Sequence, residues 1–199
     1  MTNELVIMHG IFFWSCFMER TVLIPLVNGV EEIEAVTLID VLRRAQTRVI
    51  TAGLDREVVV GAHGIILHTD MLLDEVVLDA CDMVVLPGGM PGAKHLAESE
   101  AILTLLQGFD RDNKRIGAIC AAPWVLHKAG VLKNHYTCYP GFEERIGVSG
   151  YIPEADVVQD HNILTSKGPS AAMKFALEIV KELHGEERYG AVKAELLID

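Results

Sequence analysis

Residues 115–130 read RIGAICAAPWVLHKAG: a short apolar run, a lone cysteine, a proline, then a helix-forming stretch closed by glycine. The run Ile116–Ile119 has the make-up of a strand buried on both faces. Pro123 suits the first turn of a helix and Gly130 suits its end. Cys120 therefore falls at the sharp bend between a buried strand and a helix start, the local geometry that holds a nucleophile clear of a sheet.

The same pattern repeats outward from this stretch. TVLIPLV (21–27) is a continuous apolar run with β-branched residues, broken by NGVEE and followed by EEIEAVTLIDVLRRA. That segment spaces apolar residues at Ile33, Val36 and either Ile39 or the pair Val41 and Leu42. Acidic residues fill its first turn, and Arg43 and Arg44 its last, as the helix dipole favours. RVITAG (48–53) reads as a strand, and EVVVGAHGIILHTD (57–70) as a β-hairpin about a glycine. CDMVVLPGG (81–89) is a further buried strand ending in a glycine pair, and SEAILTLLQGFDRDN (99–113) a helix. NILTS (162–166) makes a late strand. SAAMKFALEIVKELHG (170–185) makes a long helix with Phe175, Ile179, Val180 and Leu183 inward and Gly185 as its cap.

Uniformly apolar strands alternating with helices predict an α/β fold: a flavodoxin-like, doubly wound, mostly parallel sheet sandwiched by helices. Ligands bind such sheets at the carboxyl ends of the strands, near the point where strand order reverses. Three strand ends carry notable residues: NGVEEIE after the first, PGGMPGA after 83–86, and Cys120 after 116–119. The fold class predicts that they meet in one pocket.

At 199 residues the chain suits a single domain with a core large enough to need no staples. Its net charge of −11 argues against nucleic acid or an anionic membrane as partner, since both need clustered Lys and Arg. Cysteines stand at 16, 81, 120 and 138, with no CxxC pair and no zinc-type spacing, and all four read as thiols of a reducing, cytoplasmic compartment. The apolar run LVIMHGIFFWSCF lies within residues 1–19 and is too short to span a bilayer, and Glu4 replaces the basic start of a signal peptide. Residues 1–19 read as an extension ahead of a domain covering 20–199, with Met18 directly before the first strand. Cys16 lies inside that extension and supports no reading of its own.

The thiolate, not the thiol, is the nucleophile, and at a reference pKa of about 8.5 only about 3% is ionised at neutral pH. Lowering the pKa to about 5.5 requires roughly 4 kcal/mol from the surroundings. A helix N-terminus supplies about 0.5–2 kcal/mol, so a hydrogen-bond donor is needed as well. A carboxyl can be that donor when it stays protonated, which burial and a nearby sulfur anion both favour. Glu31, Glu32 and Glu34 are the candidates; Glu31 and Glu32 read as helix N-terminal charges, and Glu34 as the thiol's partner. Backbone amides of the 88–89 glycines suit a pocket for a carbonyl oxygen. Cys138, in YTCYPGFEE, is a candidate second redox thiol. His63 and His68 lie five apart on a hairpin, on opposite faces, which argues against a shared metal. His127 is two helical turns beyond Cys120. His184-Gly185-Glu186 has the spacing of an amidotransferase triad but sits at a helix end. PGGMPGAKHL lacks the spacing of a nucleotide loop.

Four ordered stretches, GVEEIEAVTLIDVLRRA, DMVVLPGGMPGAKHLAES, GAICAAPWVL and LTSKGPSAAMKFALEIV, closely resemble the ThiJ/PfpI superfamily, and within it the deglycase branch. The resemblance spans roughly residues 20–199. It implies a homodimer without cofactor or metal. Its reactive cysteine falls on Cys120, its protonated glutamate on Glu34, and its oxyanion and substrate-binding amides on Gly88, Gly89 and Ala121. It also implies that Arg44 and the Lys167–Pro169 turn lie near the dimer interface and site rim. Two departures stand out. Ala121 occupies the place of the histidine that follows the cysteine in the protease-like branch, which argues against peptidase activity. Tyr139 stands where some deglycase members have histidine.

The resemblance implies a cysteine-dependent glyoxalase or protein deglycase, of hydrolase or lyase type, acting in oxidative and carbonyl stress. Its substrates would be methylglyoxal, glyoxal or their adducts on protein. The alternative is a redox-sensing thiol protein or redox-responsive chaperone, since an accessible thiol beside a carboxyl oxidises readily.

Overall fold

The computed structural model describes residues 19–198; Cys16 and the rest of the apolar extension lie outside them. Seven strands form one sheet in the order β5-β2-β1-β6-β7-β9-β8. Strand β1 (Thr21–Leu26) pairs in parallel along its whole length with β2 (Arg48–Gly53), and β2 with the short β5 (Met71–Leu72). On its other side β1 pairs with β6 (Met83–Leu86), and β6 with β7 (Arg115–Ile119). Strand β9 (Ile163–Ser166) continues the parallel run beside β7. The edge strand β8 (Val157–Asp160) is antiparallel to β9. All residues of β1, β6 and β9 are buried, as helices on both faces require.

The strand order reverses after β5, so right-handed crossovers put the helix that follows β1 and those that follow β6 and β7 on opposite faces. Helix α1 (Glu32–Arg44) packs against the long α6 (Ala172–Glu195). The other layer holds α2 (Gly92–Glu98), α3 (Glu100–Arg111) and α4 (Pro123–Lys128). A small helix, α5 (Phe142–Ile146), packs on α4 and closes a satellite cluster of Tyr136, Cys138 and Ile146. Outside the main sheet, β3 (Val58–Val60) and β4 (Ile66–His68) form the expected antiparallel hairpin.

Several local readings differ from this. Ile33 and Val36 are exposed, whereas Val41 and Leu42 are buried as read, together with Glu32, Glu34, Ala35 and Leu38. Helix α2 begins at Gly92, just after Met90 and Pro91, where the sequence reads only as a glycine-rich loop. Gly185 does break α6, with φ +83°, but the helix resumes beyond it to Glu195. Strand β8 is half-exposed at an edge and has little apolar signal.

Candidate active site

Strands β1, β6 and β7 are neighbours, so their carboxyl ends deliver three segments to one place. The β7 segment brings Cys120. Its backbone is left-handed, at φ +63°, a conformation that costs a non-glycine residue about 1–3 kcal/mol. Hydrogen bonds on both sides hold it there: Cys120 N–H donates to Ser166 O at 2.9 Å, and Tyr139 N–H donates to Cys120 O at 2.8 Å. The side chain is 8% exposed and opens onto a cleft of about 400 Å³. Glu31, His63, Tyr139, Phe142 and Pro169 line this cleft with it.

The β6 segment brings Gly88 and Gly89. A Cβ on Gly88 would lie 2.6 Å from Cys120 Cβ, so only glycine lets the two loops touch. Gly89 has φ +93° and is equally crowded, its added Cβ falling 2.3 Å from Glu31 N. The backbone N–H groups of Gly89 and Ala121 both donate to the Cys120 sulfur.

The β1 segment turns at 27–31 into α1 and brings Glu34, whose side chain is fully buried. Its Oε2 accepts the Gly88 N–H at 2.7 Å. Its Oε1 is buried with no aligned donor among the described residues, although the carboxyl and the Cys120 sulfur interact. Burial raises Glu34 to about 7, against the pull of the Gly88 N–H and Cys120, with Glu31 pushing the same way as burial. Burial, and then the Glu34 carboxylate, push the Cys120 thiol well above its ordinary range, while the Gly89 and Ala121 amides pull it down. The repulsive contribution exists only while Glu34 is ionised. The two groups therefore titrate as a pair that sheds its first proton near 7 and holds the second far beyond it. Across that range one proton is shared between oxygen and sulfur. With the proton on Oε1, the orphaned oxygen becomes a donor to a thiolate that already receives two N–H groups. The carboxyl partner that the sequence assigned to the thiol is thus in place, and the two groups hold a single proton between them.

Other site expectations change. Gly88 is no oxyanion donor, because its N–H is spent on Glu34; Gly89 and Ala121 remain. Tyr139 and Pro169 do border the cleft. Arg44 does not border the cleft of its own chain. It lies ten residues along α1 from Glu34, about 15 Å away, and pairs with Asp40 at 2.8 Å and Glu195 at 2.6 Å. Lys167 is paired with Asp156. Cys138 is fully buried, and burial followed by Glu143 pushes its thiol up to about 12, an environment unsuited to a second redox thiol.

Glu32 holds more than a helix end. Its Oε1 accepts His63 N–H at 2.7 Å and Ile65 N–H at 3.4 Å, and its Oε2 faces His63 Nδ1 at 2.9 Å. Burial opposes ionisation, but the His63 ring and these backbone donors outweigh it and lower Glu32 to about 2. Glu31, Glu32 and His63 bring potential ligand atoms within 4.8 Å of one another, and the hydrogen bonds account for both Glu32 oxygens. Nothing in the spacing of GVEEIE and GAHG revealed this clamp, because it depends on where the hairpin folds back. A larger cavity of about 680 Å³ lies between the 73–79 segment and α3, lined by Leu73, Leu78, Leu105 and Phe109, well apart from the thiol.

Residues 20–182 match the DJ-1/PfpI family. Protein DJ-1 homolog B of Arabidopsis thaliana is 39% identical over 178 residues, covering 88% of this chain and 40% of that protein. The chain thus spans less than half the length of this relative. The glutathione-independent glyoxalase DJR-1.2 of Caenorhabditis elegans is 36% identical over 169 residues, covering 84% of this chain and 90% of that one. The crystal structure of Drosophila melanogaster DJ-1beta superposes with a TM-score of 0.88 at 38% identity, covering 92% of this chain and all of that one.

Proposed function

Because the chain belongs to the DJ-1/PfpI family, we propose that it is a cofactor-independent, cysteine-dependent glyoxalase and protein deglycase. Its substrates are methylglyoxal, glyoxal or their adducts on protein side chains. The observation that carries this reading is Cys120 beside the buried Glu34 carboxyl at the wall of an open cleft, with the Gly89 and Ala121 amides on the sulfur. A relative named as a glutathione-independent glyoxalase supports the reaction class.

In this reading the Cys120 thiolate adds to the aldehyde carbon. The new oxyanion forms within reach of the Gly89 and Ala121 N–H groups, which turn from the sulfur to the oxygen and hold its charge. Glu34 gives its proton to that oxygen and becomes the base for the next transfer. Rearrangement yields a hydroxyacyl thioester, and water releases the hydroxy acid and restores the thiolate. Turnover of methylglyoxal to lactate by the wild type, lost in Cys120→Ala and in Glu34→Gln, is the expected result. Wild-type rates in both variants would overturn it.

A second reading, redox sensing at Cys120, draws on the same orphaned oxygen. A sulfinic oxygen on the sulfur would accept a hydrogen bond from protonated Glu34. We further propose a homodimer in the cytoplasm; the exposed apolar side chains Ile33, Val36, Ile65 and Ile66 support a second copy covering this face. Among the described residues no helix is long and apolar enough to cross a membrane.

A further inference from the structure

The tip of the β3–β4 hairpin is tied to the start of α1. Gly29 N–H donates to Val60 O at 2.7 Å, and Ala62 N–H to Val30 O at 2.8 Å. A Cβ on Gly61 would fall 2.2 Å from Glu32 Oε1, so hairpin and carboxylate are in direct contact. Glu32 then fixes His63 twice, through its backbone N–H and its ring. An ionised carboxylate only accepts hydrogen bonds, so His63 Nδ1 carries a hydrogen, a tautomer assigned from the network. Nε2 is the ring atom left to gain and lose a proton, and the ring lines the cleft that holds Cys120.

Isomerising a dicarbonyl moves protons at two oxygens and at two carbons. The Gly89 and Ala121 amides serve one oxygen, and Glu34 can carry the carbon-bound proton. The second oxygen lacks a partner in that scheme. We propose that His63, oriented by Glu32, is a further catalytic residue of the cleft and exchanges a proton with the oxygens of the Cys120-bound dicarbonyl. This inference rests on the glyoxalase reading above.

In the hemithioacetal, Glu34 carboxylate removes the proton from C1, and the C1–H electrons form the C1=C2 bond. The C2=O electrons move onto that oxygen, which takes a proton from His63 Nε2. The enediol then receives at C2 the proton held by Glu34, while neutral His63 Nε2 removes the proton of the C1 hydroxyl to give the thioester. Nothing is added or lost, and both side chains return to their starting states. Glu32 and Glu31, at the start of α1, face the ring, and their carboxylates raise its pKa, favouring its protonated form. Across the cleft stand Cys120, with Glu34 behind it, and the Tyr139 hydroxyl.

The test is the pH dependence of kcat/KM with methylglyoxal for the wild type, His63→Gln, Glu32→Gln and Tyr139→Phe. His63→Gln is expected to lower the rate at neutral pH by about 100-fold or more and to remove the alkaline limb. Glu32→Gln, which lowers the ring's pKa, is expected to move that limb to lower pH, a change that a merely structural role would not make. An unchanged limb in His63→Gln, or its loss in Tyr139→Phe instead, overturns the inference. A second readout needs no turnover. Iodoacetamide places an amide carbonyl on Cys120, and the ¹⁵N resonance of His63 Nε2 should shift in the alkylated protein; an unmoved resonance overturns the inference. Failure of the wild type to consume methylglyoxal would overturn the glyoxalase reading instead, and the resonance would still decide whether His63 faces the sulfur's adducts.

Discussion

Glu34→Gln separates the chemistry of the site from the stability of the fold. The carboxyl is fully buried and raised from 4.5 to about 7, whereas in the unfolded chain it returns to its ordinary value. A difference of about 2.5 pH units corresponds to about 3 kcal/mol, at 1.36 kcal/mol per unit. The folded state binds this proton more tightly than the unfolded state does. The resulting stabilisation is complete below pH 4.5 and is lost as pH rises through about 7. Glutamine cannot ionise. Its oxygen can still accept the Gly88 N–H, and its amide hydrogens can face the sulfur. The variant should therefore match the wild type near pH 4.5 and exceed it by about 3 kcal/mol around pH 8, or about 6–12 °C in Tm. Denaturant unfolding of both proteins across this range measures the gap, and other titrating groups cancel in the difference. Turnover should fall about 100-fold or more in the same variant. A stability gap that does not change with pH would refute the buried, proton-holding carboxyl, and with it the single-proton pair.

The left-handed backbone at Cys120 reverses an ordinary preference. Glycine is usually about 0.5–1 kcal/mol less stable than alanine, but here Cys120→Gly should equal or exceed Cys120→Ala, because alanine retains the strain. The usual order in thermal unfolding would show that the bend carries no strain. Glu32→Ala removes three hydrogen bonds to the hairpin and should cost about 2–4 kcal/mol, with faster proteolysis around Gly64; undiminished resistance would mean that the hairpin holds itself in place. Mild peroxide should add oxygen stepwise at Cys120 while Cys81 and Cys138 stay unmodified, as intact-mass and peptide analysis would show; oxidation led by Cys138 would contradict its burial. Gly88→Ala forces a methyl to 2.6 Å from Cys120 Cβ and should abolish turnover even if the chain folds; full activity would mean that the two loops can part freely.

The sheet was legible because buried parallel strands are apolar throughout, and β1, β6 and β7 each show such a run bounded by turn residues. Strand β8 was not, since a half-exposed edge strand such as Val157–Asp160 has neither a continuous nor a cleanly alternating pattern. The inward face of α1 was misjudged because Ile33 and Val36 are as apolar as Leu38 and Val41, and composition alone does not say which face meets the sheet. At the site, the bend at Cys120 and the closeness of Glu34 followed from strand adjacency. The division of labour between Gly88 and Gly89 did not, because two adjacent amides of one loop point in different directions. One donates to Glu34 and the other to the sulfur. The Glu32–His63 clamp was hidden for a related reason: its partners are 31 residues apart and meet only where the hairpin folds onto α1.

Most of what aims the sulfur is backbone. The φ of Cys120, its bonds to Ser166 O and Tyr139 N, and the N–H groups of Gly89 and Ala121 belong to the sheet order and to two glycines. Side-chain chemistry enters through Glu34 on one side and His63 on the other. A strained residue persists only where its surroundings over-determine it, and here four main-chain contacts from three segments do so. The sulfur's position should therefore survive changes at the cleft's outer wall, at Tyr139 or Phe142, which reshape the space for substrate. Changes in the 87–90 loop should not be tolerated in the same way, because that loop fixes the sulfur and the carboxyl together. Substrate preference and proton chemistry are thus held by different parts of the fold, and the first can vary without disturbing the second.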